Sequence, residues 1–432
     1  MPCLPSGSER GTIGHRRGRV GAEEERMDRR AVIIGAGITG TLTAVRLRRA
    51  GWEVTVLEAR HVGAGSSSRT AAGIRQQFST PETVLGMRYS VDVYRRFPAE
   101  VGGMVVPIVE NGYLFLLDDP TELPRAAARV ALQRGQGLAE VELLDAAETV
   151  RRFPYVSREA IVGATWCPSD GFLRPEIVYG EAAASARARG VTLVQHAPVE
   201  AARHAQGRIT AVQARGAWFE ADLFVDATNA WSPRLAGVLD ATVLPIDPVK
   251  RYLWFFTRAG AMSGEALRRM PMVVSPRGAY CHPENEDTLM AGWAHEARPE
   301  PDFVDEDQDR IDPPFDHRSG PESKAYEAWA ELAGWLPPVG DFGGVHATTS
   351  GFYGTTPDHN PFLCYDGHQA NLIRLAGFSG HGAMFGPFTA RVAEALAEAG
   401  RDLPAVGVLG REASLLPFGL RREFAHTEDM VI

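Results

Sequence analysis

The spacing of apolar residues divides the chain into alternating elements. From Ala31 to Ile34 the residues are apolar and mostly β-branched, and they give way to Gly35, Ala36, Gly37, Ile38, Thr39 and Gly40. That pattern predicts a buried strand entering a glycine turn. From Thr39 to Ala50, Leu42, Val45 and Leu47 fall at helical spacing with Gly51 as a stop, and Glu53 to Leu57 reads as a second strand ending at Glu58. Further on, Arg174 to Arg189 reads as a helix and Val191 to Gln195 as a strand. Gly207 to Val212 with Trp218 to Phe219 forms a meander, and Phe224 to Ala227 is another buried strand. Val249 to Trp293, rich in aromatic and β-branched residues, predicts an antiparallel sheet over a pocket. The acidic, Pro-rich stretch Glu296 to Glu322 has no core pattern and is expected to be a long exposed loop. Helices are expected near Lys324 to Leu336 and from about Pro387 to Ala399.

The order strand, glycine turn, helix, strand is what a dinucleotide fingerprint requires. Gly35 permits the tight turn, Gly37 lets backbone amides approach a pyrophosphate, and Gly40 lets the helix pack on the strand. The helix N-terminus offers free N–H groups and partial positive charge to the anion. Glu58 stands where a carboxylate accepts hydrogen bonds from the adenosine ribose. This unit alone does not separate FAD from NAD. No second GxGxxG follows a later strand, so one dinucleotide serves as the redox centre.

Composition narrows the partners. At 432 residues with 44% hydrophobic positions, the chain is long enough to enclose a large cofactor. Its formal charge of -9 argues against a phosphate-backbone ligand, and no nucleic-acid partner is expected. Cys3, Cys167, Cys281 and Cys364 are widely separated, suggesting neither a disulfide framework nor a metal site. With no apolar run of about 20 residues and no secretory h-region, the expected location is the cytoplasm, with no membrane partner. Residues 1–26 lack periodic apolar positions and are expected to be disordered, with Met27 an alternative start.

Three further segments carry a resemblance. They are GAGSSSRTAAGIRQQF (Gly63 to Phe78), FVDATNAWS (Phe224 to Ser232), and TPDHNP (Thr356 to Pro361) with GFSGHG (Gly377 to Gly382). In this order they resemble the amino-acid oxidase superfamily of FAD-dependent flavoproteins, which includes sarcosine oxidase, glycine oxidase and dimethylglycine dehydrogenase. The resemblance implies an α/β chain (α+β overall), with a Rossmann-type FAD-binding domain and a second, antiparallel-sheet substrate domain. The expected boundaries are 27–86, 159–243 and 342–410 for FAD, 87–158 and 244–341 for substrate, and 411–432 as a C-terminal tail.

Beyond the glycines and Glu58, the resemblance implies FAD contacts from Ile38, Thr39, Ala59 and Arg60. The small residues Ser66, Ser67 and Ser68 leave room for the backbone to approach a phosphate or ring, and Ala72 and Gly73 for a flat ring to lie, with Arg69 in the same set. Val199, Ala227, Trp231 and Gly351 belong to the same set, as do Gly377, Gly380, His381, Gly382 and Met384. The amides opening the last helix would face the flavin's pyrimidine end. Some relatives bond flavin to a cysteine, here Gly351, or to a histidine, here Thr70, so FAD is expected to be non-covalent.

Arg75 matches an arginine that binds the substrate carboxylate, for which a planar fork is suited. The family's second carboxylate ligand, a lysine, is replaced by Met384, and its oxygen-activating lysine by Met290. Tyr280, His282, Trp293 and His381 complete the candidate catalytic set, with His295 an alternative cation. The expected reaction is oxidation of the C–N bond of an amine or amino-acid-like substrate, with O2 or another electron acceptor. The chain would act as a monomer or homo-oligomer. Two alternatives stay open: a single-component flavin monooxygenase, and a non-catalytic assembly factor, because some relatives with a similar IRQQF segment assemble a respiratory complex.

Overall fold

The computed structural model describes residues 29–260, 262–294, 298–316, 320–424 and 427–430. The expectation for residues 1–26 lies outside them. A six-stranded sheet forms the first layer, in the order Phe362–Tyr365, Leu372–Ala376, Leu223–Asp226, Arg30–Ile34, Glu53–Leu57, Thr192–Val194. Arg30–Ile34 pairs in parallel on both sides, Val32 lying opposite Thr55 and Phe224. Its residues are apolar without alternation because both faces are covered. Ala31 and Ile33 join Leu42 and Val45 of the helix Ile38–Arg49 and Phe388 of the last helix. Val32 and Ile34 meet Val212 of the three-stranded meander and Leu239 on the other face.

The second sheet has eight strands, in the order Val345–Thr355, Asp247–Thr257, Thr288–Trp293, Ala279–Pro283, Met272–Val274, Tyr113–Leu117, Gly163–Cys167, Glu142–Asp145. Successive residues alternate between its two faces, and both faces are buried. Trp254, Phe256, Leu289 and Ala291 pack beneath the helix Lys324–Trp335. Leu253, Met290, Tyr280 and Tyr113 cluster on the opposite face. The expected antiparallel pairing holds except between Met272–Val274 and Tyr113–Leu117, which run parallel. Those strands come from distant parts of the chain, so no hairpin fixes their relative direction.

Two expectations are corrected. The segment after Glu296 is not simply an exposed loop: Phe303 is buried and stacks on Phe352, and Phe315 stacks on Tyr252. Asp312 pairs with the buried Lys250 at 3.0 Å, so described residues 298–316 form a strap fastened to the second sheet. Its apolar residues are too sparse to show a period. The last helix spans Gly382–Ala399, with Pro387 inside it rather than at its start. Proline cannot donate to the carbonyl four residues back, at Ala383. The Tyr94 hydroxyl donates to that oxygen instead, at 2.6 Å.

Candidate functional site

A cavity of about 350 Å³ opens at the C-terminal ends of the central parallel strands. Gly35 has φ +102°, and a Cβ there would stand 2.8 Å from the Ala227 carbonyl oxygen. At Gly40 a Cβ would fall 1.9 Å from the Gly35 oxygen, so turn and helix touch backbone to backbone. The helix begins without an acidic residue in its first turn and without a side-chain cap, leaving its N-terminal charge open to an anion. The Ile38 amide donates to the Ser67 hydroxyl at 3.0 Å, and a Cβ on Gly37 would stand 2.8 Å from that hydroxyl.

Glu58 accepts from the Ala36 amide (2.7 Å) and the Arg60 amide (2.9 Å). Burial raises its pKa, and those two N–H groups oppose the rise. An oriented carboxylate beside an uncapped helix N-terminus and a glycine cradle fits a dinucleotide, with ribose at Glu58 and pyrophosphate at Gly37 to Thr39. Ala59, Arg60, Ser66, Val199, Ala227 and Trp231 continue the wall, and Gly380 and Gly382 close its far end. Asp305 and Gln308 of the strap also face this cavity.

Sequence reading missed what holds the second turn. Arg374, fully buried, donates to Asp226 (3.1 Å), Asp366 (2.7 Å), the Ser232 hydroxyl (2.8 Å) and the Thr242 carbonyl (2.7 Å). Asp226 also accepts from the Thr228 amide and hydroxyl, fixing the start of the turn lined by Asn229 and Trp231. Asn229 takes φ +51°, a left-handed conformation that asparagine adopts more readily than other side-chain-bearing residues. Its side-chain oxygen accepts from the Gly377 and Phe378 amides at 3.0 and 3.2 Å, joining two of the resembling segments. A buried ion pair leaves no hydropathy signal, so only an unexplained acid at a strand end hinted at it.

A second, small cavity of about 30 Å³ lies between the sheets, walled by Ala72, Gly73, Arg75, Tyr280, His381 and Met384 among others. Thr70, Tyr353 and Gly380 line both cavities. Gly292 and Gly380 make room for phenols: a Cβ at either would lie under 2.5 Å from the ring of Tyr280 or Tyr353 respectively. Burial raises the pKa of both tyrosines.

Arg75 is 0% exposed and lies 3.9 Å over the Phe78 ring. It donates to the Gln77 and Met430 carbonyls and lies 3.3 Å from His381 Nε2, while its Nε has no partner. Guanidinium only donates, so His381 Nε2 accepts and the imidazole carries its proton on Nδ1. Burial and the charge of Arg75 hold His381 neutral, its pKa well below the usual range. Behind Arg75, Asp170 accepts from the Gln76 amide (2.8 Å) and both glutamine side chains (3.1 Å each). Burial pushes its pKa up to about 6 against those bonds.

Other candidates lie outside both cavities. His282 stacks on Phe172, its ring nitrogens 2.9 and 3.0 Å from the Pro283 and Ala71 carbonyls, so it ties the sheet to the Ala71 loop. Trp293 faces the opposite side of the sheet and donates to Arg277. Ser68 and Arg69 sit at the rim, where Arg69 pairs with Asp309 of the strap. Gly351 faces Arg69, whose Cβ would be 2.7 Å from a side chain there. Gly40 and Gly377 support the cavity from behind. His295 lies outside the described residues.

Comparison with known proteins agrees with this geometry. The chain is similar to FAD-dependent oxidoreductase domain-containing protein 1 of Bos taurus, 26% identical over 87% of this chain and 82% of that protein. It is similar also to human mitochondrial dimethylglycine dehydrogenase, 26% identical over 65% of this chain but 32% of that larger protein. The structure of L-proline dehydrogenase from P. horikoshii superposes with a TM-score of 0.76 at 26% identity, covering 87% of this chain and 94% of that one. Residues 30–396 match the DAO family, FAD dependent oxidoreductase, so this chain belongs to that family and the dinucleotide its long cavity is built for is FAD.

Proposed function

We propose that this chain oxidises the C–N bond of a secondary or primary amine, or of an amino-acid-like substrate, to an imine. The observation that carries the reading is the junction of the two cavities at Thr70, Tyr353 and Gly380. It places a small pocket with a buried cation, holding room for a water or two as it stands, at the end of a long cavity, so a substrate must displace part of the wall to enter. Relatives named as dimethylglycine dehydrogenase, glycine oxidase and L-proline dehydrogenase support the substrate class. When bound, FAD supplies the two-electron acceptor at its N5.

The pocket's own residues do the orienting. Burial and the Arg75 charge both disfavour an ammonium, so the amine is held neutral, with its lone pair available to assist C–H cleavage. Arg75 orients a carboxylate, and the tyrosines and Met384 exclude water. His381, neutral, fixes the guanidinium plane. We also infer non-covalent FAD: Arg69 fills the space that a cysteine at 351 would need, and Cys364 is buried on the sheet edge with its pKa pushed up to about 12. With the buried Met290 at the family's oxygen-activating position, an acceptor other than O2 is favoured.

Anaerobic titration of the yellow protein with sarcosine, dimethylglycine, proline and bulkier secondary amines tests the reading. Bleaching of the flavin's visible band by at least one amine is expected; if none bleaches it, the reading fails. Arg75→Met is expected to raise KM for carboxylate-bearing amines about 10- to 100-fold. An unchanged KM would remove Arg75 from substrate recognition.

A further inference from the structure

Arg75 has a neutral acceptor where a carboxylate is expected. Met430, which does not itself line the small cavity, presents its carbonyl oxygen to Nη2, the nitrogen that also faces His381 of the cavity wall, although Arg75 and Met430 are 355 positions apart. Among the described residues no carboxylate forms an ion pair with this guanidinium; the Tyr113 phenol acts on it by charge and hydrogen bonding, and Asp170 and Glu428 through their charge. A fully buried guanidinium is poorly compensated by main-chain carbonyls, because hydrogen bonds to an ionised acceptor are roughly twice as strong as those to a neutral one. The unpartnered Nε adds to the deficit.

The segment presenting that carbonyl is latched. Glu428, 1% exposed, accepts from the Ser79 amide (2.9 Å) and hydroxyl (2.6 Å), the Thr80 hydroxyl (3.1 Å) and the Met430 amide (3.0 Å). Its own amide donates to the Asp358 carbonyl at 3.1 Å, and the Asp429 amide donates to the Ser79 hydroxyl at 3.0 Å. Ser79 and Thr80 directly follow the IRQQF stretch that carries Arg75. Little apolar surface reinforces these bonds. Thr427 and Asp429 are exposed, and Met430 is half-buried at the margin of the core. Such a segment is positioned by a handful of hydrogen bonds and one exposed ion pair, Asp429 with Arg125, and can detach without disturbing either sheet.

We propose that Thr427–Met430 is a built-in competitor for Arg75 Nη2, holding that nitrogen from beside the small cavity, so that binding exchanges the Met430 carbonyl for a carboxylate and releases the latch. The segment thereby sets specificity: an amine lacking a carboxylate has nothing to displace it with. This rests on the reading that the small pocket receives a carboxylate-bearing amine.

Hydrogen exchange of the holoprotein tests it, with acetate as probe and acetamide as its neutral counterpart. The amides of Glu428, Asp429 and Met430 are all bonded in the latch, so saturating acetate is expected to speed their exchange about tenfold while acetamide leaves it unchanged. Truncation after Phe424 is expected to tighten acetate binding about tenfold, read from the flavin spectrum, with acetamide unaffected. If the truncated protein does not hold flavin, full-length Glu428→Ala provides the same reading. Unchanged exchange with acetate bound, unchanged or weaker acetate affinity in the variants, or no acetate binding at all overturns the proposal. Acetate is not oxidised, so these results stand apart from the amine titration that tests the reaction.

Discussion

The two cavities that meet at Thr70, Tyr353 and Gly380 are built in opposite ways. The long one is largely local at its glycine-turn end: a strand, a glycine turn, a helix and a terminal glutamate within residues 30–58. The small one draws Arg75, Tyr113, Tyr280, Tyr353 and His381 from five separate stretches of chain. Backbone groups dominate the first, where glycines admit them; side chains dominate the second, where glycines make room for aromatic rings. A backbone site is specified by where side chains are missing, and missing side chains are easy to read. A side-chain site is specified by which rings converge, and that is a property of the fold.

Three variants would break or sharpen this contrast. The largest effect is expected at Arg374, which shows that even the local cavity leans on distant residues. Arg374→Met leaves Asp226 and Asp366 buried without their cation and should cost about 3–5 kcal/mol, measured as a fall in the denaturation midpoint. A loss under about 1 kcal/mol would mean that the surrounding amides suffice. Next comes Gly40→Ala, which forces a methyl against the Gly35 carbonyl and should weaken FAD retention on the order of 100-fold, about 2.7 kcal/mol. Equilibrium dialysis of FAD checks it, and wild-type affinity would show that the close approach is dispensable.

The third concerns the side-chain cavity. Asp170 has its pKa raised from 3.8 to about 6, so the folded state holds this proton more tightly than the unfolded chain. Its contribution to stability is therefore fully present below about pH 4 and is lost as pH rises through about 6. The amount is on the order of 2 kcal/mol, and Asp170→Asn should flatten that part of the stability profile. Parallel wild-type and variant profiles between pH 4 and 7 would remove Asp170 as the titrating group.

Legibility followed the same division. Gly35, Gly37 and Glu58 fall where the motif implies, because strand, turn and helix arise from neighbours in sequence. Asparagine at 229 suits a left-handed turn, yet its two bonds to the Gly377 and Phe378 amides depend on a loop far along the chain. Tyr280 and His282 both point to the pocket side of one strand, but only Tyr280 lines the small cavity; His282 is taken up by the Ala71 carbonyl and the Phe172 ring. Trp293 sits on the wrong face for the pocket because its position in the alternation puts it with the Trp254 side of the sheet.

From its sequence alone this protein has its βαβ unit, its glycine cradle, the acid that closes its second strand and its family, since each depends on residue types at short, fixed spacing. The tertiary structure alone decided the rest. It buried Arg75 completely, gave its hydrogen bonds to Gln77 and Met430, and set His381 beside it as a neutral acceptor. It also folded the sparse, acidic strap against Phe352 and Lys250. Burial, ion pairing and the exchange of one acceptor for another are set by which distant atoms meet in a low-dielectric interior, and no periodicity in the chain records that.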